Sequence, residues 1–364
     1  MKKVFVWAGW GRNFGDLLLL DQQVKLLKQQ CPEELLVIPL SSHSINGKAP
    51  VLTSEIVDYI NSGDMLIIGS GGQLLPDKSR FGFWQFNIPI QMIDDIKVPI
   101  VVYGIGSNTF AYPGDGGGLD RNETDVFETH LARVCNRSEL CSVRDSIALD
   151  LIKTKLGVSK TTLIGDPALL LQPSSLTKPV GIVGLVLGGD RIVERYRSKS
   201  DYLNLLVDFA KQIKSFVDES GFISQIKLIP HSSLYDVEYS YIIEQLLQSN
   251  DFSFVFEHGL LPESENKLLH LRRSYSECDY IISSRWHGNI IASALGIPNI
   301  TIGSMLKQQA LFQDLGILNW NKGEDLNKIL KQSDVNLCDV TKRVRQLQTR
   351  TREFSQAVVD LLCH

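Results

Sequence analysis

Short β-branched runs that end in a glycine or polar turn and lead into a helical segment recur along this chain. That alternation constrains the fold more than any other feature, because it demands a parallel sheet with helices on both faces. Lys3–Trp7 is the first such run, followed by a Gly-rich turn and a helix from Asp16 to Gln30. Leu35–Pro39, Met65–Ile68, Pro99–Gly104, Leu140–Val143 and Thr161–Ile164 continue the series. Helical segments fall between them at Ser54–Asn61, Ile88–Asp95, Glu123–Asn136 and Ser146–Leu156. Pro173–Pro179 (PSSLTKP) then interrupts with two prolines, two serines and little apolar content, which reads as a linker. Strands resume at Val180–Leu187, Gln225–Ile229, Phe252–Phe256, Tyr280–Ser283 and Asn299–Ile302. The expected fold is α/β, with two Rossmann-like open parallel-sheet domains facing across a cleft. Residues 1–172 form the first domain, 173–179 the linker, 180–320 the second domain and 321–364 a helical tail, helical over Lys342–Leu362.

Composition narrows the function classes. A net charge of -4 offers no overall basic field for nucleic acid or a membrane surface. The six cysteines are scattered without a C-x-x-C pair, which argues for free thiols in a reducing compartment and against structural zinc. The opening MKKVFVWAGWG breaks too early for a signal peptide, and no segment reaches the roughly 18 apolar residues of a membrane span. A cytoplasmic protein is expected.

Polar residues at strand ends face the crevice of such folds rather than the core, so they are the functional candidates. Asn13 and Asp16 follow the first strand in GWGRNFGD. Asp16 reads equally as a helix cap and as a cleft carboxylate. The spacing Gly9-x-Gly11-x-x-x-Gly15 is one residue too long for a dinucleotide fingerprint, which disfavours a Rossmann dehydrogenase. Gly69-Ser70-Gly71-Gly72 is a second glycine turn, either for ligand approach or for packing. Arg144-Asp145 reads as a surface ion pair or a site, Asp166-Pro167 as a turn, and His231 as more often structural than catalytic. Arg285-Trp286-His287 is harder to dismiss, because it opens an apolar, small-residue helix. Cations beside a helix N-terminus are destabilising unless an anion neutralises them. Lys307, after the next strand, and Arg144 are placed to join them in a phosphate or carboxylate cradle.

These motifs in series resemble the polysaccharide pyruvyl transferase family. The resemblance is carried by Asn13-x-Gly15-Asp16, Gly69–Gly72, Tyr103-Gly104-Ile105-Gly106, Ser142-Val143-Arg144-Asp145, Gly165-Asp166-Pro167-Ala168, Pro230-His231 and Arg285-x-His287-Gly288 followed by Lys307. It runs from about residue 4 to residue 318. Trp286 stands where many members carry Leu, Ser70 replaces a glycine, and Ser107-Asn108 follows Gly106 where Gly-Pro is common. The resemblance implies a GT-B-like fold and transfer of pyruvate from phosphoenolpyruvate to a sugar hydroxyl pair as a ketal. It further implies that Arg144, Arg285, His287 and Lys307 hold the donor, with His287, Asp16 and Asp166 as catalytic groups. Asn13, Asp16, Gly71, Gly72 and His231 would then meet the acceptor, a glycan or lipid-linked oligosaccharide through which the protein meets the inner face of the membrane. No metal and no cofactor beyond the co-substrate is expected. A GT-B glycosyltransferase using a nucleotide sugar is the rival enzyme reading, and a non-catalytic sugar-phosphate binding protein is the third.

Overall fold

The computed structural model describes residues 1–8, 14–41, 51–108, 118–172, 181–221, 223–232, 235–247, 253–256, 267–303 and 306–364. In the first half lie β1 (Lys2–Ala8), β2 (Leu35–Ser41), β3 (Met65–Ile68), β4 (Gly71–Leu74), β5 (Ile100–Ser107), β6 (Leu140–Val143) and β7 (Thr162–Leu163). They form a parallel sheet in the order β2-β1-β3-β5-β6-β7, with β4 paired to β5. In the second half lie β8 (Ile182–Val186), β9 (Gln225–Leu228), β10 (Ser253–Phe256), β11 (Tyr280–Ser283), β12 (Asn299–Ile302) and β13 (Leu318–Trp320). Their order is β10-β9-β8-β11-β12-β13, again parallel. Both sheets are open and doubly wound. Their strand order reverses between β1 and β3 in the first and between β8 and β11 in the second. The carboxyl ends beside those reversals are where such folds bind ligands.

Strand alternation explains why both faces of the first sheet are buried. Phe5, Trp7, Leu66, Ile68, Ile100 and Val102 point into one core. Val4, Val6, Met65, Ile67, Val101 and Tyr103 point into the other. Near-continuous apolar strands of this kind belong to sheets with helices on both sides.

The expected tail is instead one helix, Leu326–Cys363, which begins sixteen residues earlier than the periodicity predicts. Asp325 caps it, its carboxylate accepting from the Lys328 amide at 3.2 Å. Leu326 and Leu330 pack under the second sheet. Val340, Val344 and Leu347 join the core between the halves. Phe354, Val358, Val359 and Leu362 cover the first sheet. A helix that completes both cores ties them together, and each buried aliphatic side chain contributes about 1.5–3 kcal/mol. No described helix is long and apolar enough to cross a membrane.

Two further differences from the sequence reading are local. Gly71 and Gly72 are not turn residues but the start of β4, whose backbone pairs with Ile105 and Ser107 of β5. β13 went unread because Leu318–Trp320 is only three residues long. The linker 173–179 lies outside the described residues.

Candidate active site

The ends of the two sheets meet through one apolar cluster. Phe14, Leu18 and Leu19 of the first helix (Phe14–Gln30), Ala168 and Leu169 of a 3-10 turn, and Trp286, Ile290 and Ile291 of the helix Trp286–Ala294 all belong to it. On that support the strand-end residues of both halves converge.

Arg144 directly follows β6 and is buried. Its Nη1 donates to Asp166 Oδ2 at 2.8 Å and to His287 Nε2 at 3.2 Å. His287 Nε2 stands 3.7 Å from the same carboxylate oxygen. Trp286 Nε1 also donates to Asp166 Oδ2, at 2.9 Å, and its ring lies 4.9 Å from the Arg144 guanidinium carbon. A guanidinium has only donors, so His287 Nε2 is the acceptor in its contact with Arg144 and carries no proton there.

Local structure sets each of these side chains. Asp145, the residue after Arg144, caps the helix Ser146–Leu149 through the Ala148 amide at 2.8 Å. Its other oxygen accepts from the Ser107 amide at 2.8 Å, joining the end of β5 to that of β6. The pair expected at the surface is therefore interior, and burial pushes the Asp145 carboxyl up despite the adjacent Arg144. Asp166 is not a simple turn residue. One oxygen accepts from the Ala168 amide at 3.0 Å to start the 3-10 turn, and the other holds Arg144 and Trp286.

Two glycines make the close approach possible. A Cβ at Gly15 would overlap the His287 ring, so the N-terminus of the first helix meets that ring only because residue 15 has no side chain. A Cβ at Gly106 would likewise strike the Arg144 side chain.

Asp16 lies in the first turn of its helix rather than at the cap position, which favours its negative charge through the helix dipole. Its Oδ1 is 3.8 Å from where a Cβ on Gly71 would stand. Arg144 Nη2 is 3.1 Å from the corresponding point on Gly72. Asp16, Gly71, Gly72, Arg144, Asp166 and His287, scattered over the sequence, thus ring one place. Asn13 lies outside the described residues. The backbone of Lys307 lies in the helix Leu306–Ala310, and its side chain is outside what is described.

Arg285 departs from expectation. The predicted uncompensated cation is neutralised within the protein itself. Its Nε donates to Asp236 Oδ2 at 2.7 Å, its Nη2 bonds Asp236 Oδ1, and Asp190 is 2.8 Å away. Burial works against its charge, but Asp190 and Asp236 outweigh that and hold its pKa above the usual arginine range. Asp236 also accepts from the amides of Gly189, His231 and Ser232, so Arg285 anchors the loops after β8 and β9. His231 belongs to the same network and stands apart from the Arg144 cluster in its bonding. Its Nε2 pairs with the Tyr275 hydroxyl at 2.7 Å, and its carbonyl accepts from Phe14 N at 3.2 Å. Burial, aided by Arg285, pushes its pKa down to about 3, so it stays neutral. Asp190 and Asp236 were missed in the sequence. Asp190 had a usable signal, a carboxylate after Gly188-Gly189 at a strand end, whereas Asp236 had none.

A family model of polysaccharide pyruvyl transferases matches residues 13–304. The chain belongs to that family. The pyruvyl transferase is thus an enzyme of polysaccharide pyruvyl transfer with a glycan acceptor, and the matched residues span the whole cluster around Arg144 and His287. No curated protein matches its sequence. Among solved structures, S. aureus MnaA with UDP aligns with a TM-score of 0.56 at 12% identity, covering 99% of the transferase and 95% of that chain. UDP-GlcNAc 2-epimerase from Neisseria meningitidis bound to UDP-GlcNAc aligns at 0.53 and 10% identity over 100% of both chains. The 2-epimerase of Methanocaldococcus jannaschii aligns at 0.51 and 10% identity, covering 95% of the transferase and 99% of that chain. At such identities the likeness is one of fold, and that fold is GT-B-like.

Proposed function

We propose that the enzyme takes pyruvate from phosphoenolpyruvate and closes it as a ketal onto a hydroxyl pair of a cell-surface glycan or its lipid-linked precursor, releasing phosphate. The observation that carries this reading is the meeting of Arg144 and His287, from opposite halves, at the ends of both sheets. Phosphoenolpyruvate brings a carboxylate and a phosphate, and charge-assisted contacts to such groups contribute about 1.5–3 kcal/mol each. Arg144, His287 and Lys307 supply them in this reading, while Arg285 acts indirectly by holding the helix that carries His287. Donor phosphate competes with His287 Nε2 for Arg144. The freed imidazole takes up a proton and returns it to the bridging oxygen as phosphate departs.

The enol carbon gains a proton at its methylene neighbour and becomes cation-like, a first hydroxyl attacks it, and a second displaces phosphate. The balance is simple: of the two hydroxyl protons, one ends on the new methyl group and one on phosphate. Asp16 is the better base of the two candidate carboxylates. It is only partly buried, whereas Asp166 is enclosed and spends one oxygen on Arg144 and Trp286. The protein works in the cytoplasm, meeting the membrane through a lipid-linked acceptor.

The test is incubation with phosphoenolpyruvate and a panel of synthetic and lipid-linked glycosides, with mass spectrometry for the pyruvate increment and an assay for phosphate. Arg144→Ala and His287→Ala should fold yet lose donor binding by calorimetry. Donor affinity within about twofold of wild type, under about 0.5 kcal/mol, removes either residue from the site. Turnover should persist in excess chelator. Thermal protection by a nucleotide sugar but not by phosphoenolpyruvate would favour a glycosyltransferase instead.

A further inference from the structure

Trp286 is the one member of the cluster whose role neither charge nor reaction chemistry demands. Its side chain is buried at the start of the second half's helix, yet both its polar contact and its ring face belong to residues of the first half. The indole N–H is given to Asp166, and the ring lies against Arg144.

The bonding of Arg144 shows why the ring matters. Among the described residues, the hydrogen bonds of its guanidinium both leave from Nη1, to Asp166 and His287. Among the described residues its buried Nε has no hydrogen-bond partner, and Asp145 Oδ2 stands 4.0 Å away. A guanidinium tethered through one nitrogen can still rotate its plane. A ring beneath the guanidinium carbon limits that motion, and cation–π attraction favours the arrangement most strongly where water is excluded. Trp286 meanwhile adds a second donor to the Asp166 oxygen that Arg144 uses, fixing that oxygen in place. An aliphatic side chain at position 286 can do neither, and phenylalanine can do only the first.

Resting on the functional reading above, we propose that Trp286 is a positioning residue that aims Arg144 at the donor. Because the indole comes from one half and the arginine from the other, the aim exists only while the sheet ends are together. Donor recognition is thereby tied to closure of the cleft.

The test compares Trp286→Phe and Trp286→Leu with wild type in the full-length enzyme. Phosphoenolpyruvate affinity is measured by calorimetry, and KM for each substrate by kinetics. Donor KM and Kd should rise about tenfold in the Phe variant and further in the Leu variant, the extra loss being that of the ring face. Acceptor KM and kcat at saturating donor should move less than threefold. Wild-type fluorescence should respond to phosphoenolpyruvate, and the Phe variant should lose the part of the response due to residue 286. Equal donor affinity in wild type and Phe variant, or a fall in kcat alone, overturns the proposal. If Trp286→Leu does not fold, the Phe variant decides by itself. If wild type binds no phosphoenolpyruvate, it is the functional reading that fails. The positioning role is then judged by a double-mutant unfolding cycle between Trp286→Phe and Arg144→Ala, and coupling within error of zero overturns it.

Discussion

Asp166→Asn separates a carboxylate that holds Arg144 from one that does chemistry. Asparagine keeps the size of aspartate but replaces one acceptor with a donor. Both oxygens of Asp166 are committed as acceptors, one to Arg144 and Trp286, the other to the Ala168 amide. Whichever way the amide turns, an N–H faces another N–H. Arg144 and Asp166 are 4% and 1% exposed, so water cannot replace what is lost. Removing one partner of a buried ion pair costs about 3–5 kcal/mol, because the remaining charge is left uncompensated. We take the lower end, about 3 kcal/mol, since His287 remains as a second contact. With a urea m-value of about 3 kcal/mol/M for a chain of this size, the unfolding midpoint should fall by about 1 M. Unfolding followed by tryptophan fluorescence, beside donor calorimetry, gives the answer. The expected result is lower stability together with weaker phosphoenolpyruvate binding. A midpoint within about 0.2 M of wild type, with donor affinity kept and turnover lost, would refute the reasoning and make Asp166 the catalytic base.

Asp16→Asn should lower kcat by a hundredfold or so with donor affinity largely kept; early melting with full activity would reduce Asp16 to a helix-stabilising charge. Gly15→Ala should displace His287 and cost at least tenfold in turnover, while melting within a few degrees of wild type; unchanged kinetics would mean that the ring does not need its place against the first helix. Asp314 links the halves by accepting from the Ser146 amide at 2.9 Å, and burial pushes its pKa from 3.8 to about 6. A raised carboxyl pKa favours folding below the unfolded value, and that benefit is lost as pH rises through the folded one. Asp314→Asn should therefore be near neutral at low pH and stabilising by about 3 kcal/mol at pH about 7.5; thermal melts showing the reverse trend would reject the assignment.

Much of this protein was legible as a string. Near-continuous apolar runs such as Met65–Ile68 and Tyr280–Ser283 appear as strands with the predicted limits, because a strand buried on both faces is apolar along nearly its whole length. Gly71 and Gly72 misled because two glycines say that room is needed, not whether a ligand or a neighbouring strand takes it. The long helix was half seen. Its later turns carry a regular stripe, while between Leu330 and Val340 Ser333 alone is buried.

The site divides in the same way. The sequence alone determined the family and which polar residues stand at strand ends, because strand periodicity and turn chemistry are local. It could not determine which charge would meet which. Arg285 and Arg144 look alike in the string, each a cation after a buried strand. Only packing shows that Asp190 and Asp236 neutralise the first, while the second bridges to His287 and Trp286 of the other half. Charge compensation acts through space over a few ångströms, and residues 144 and 287 come that close only when both sheets are built and the helix over both has closed them together.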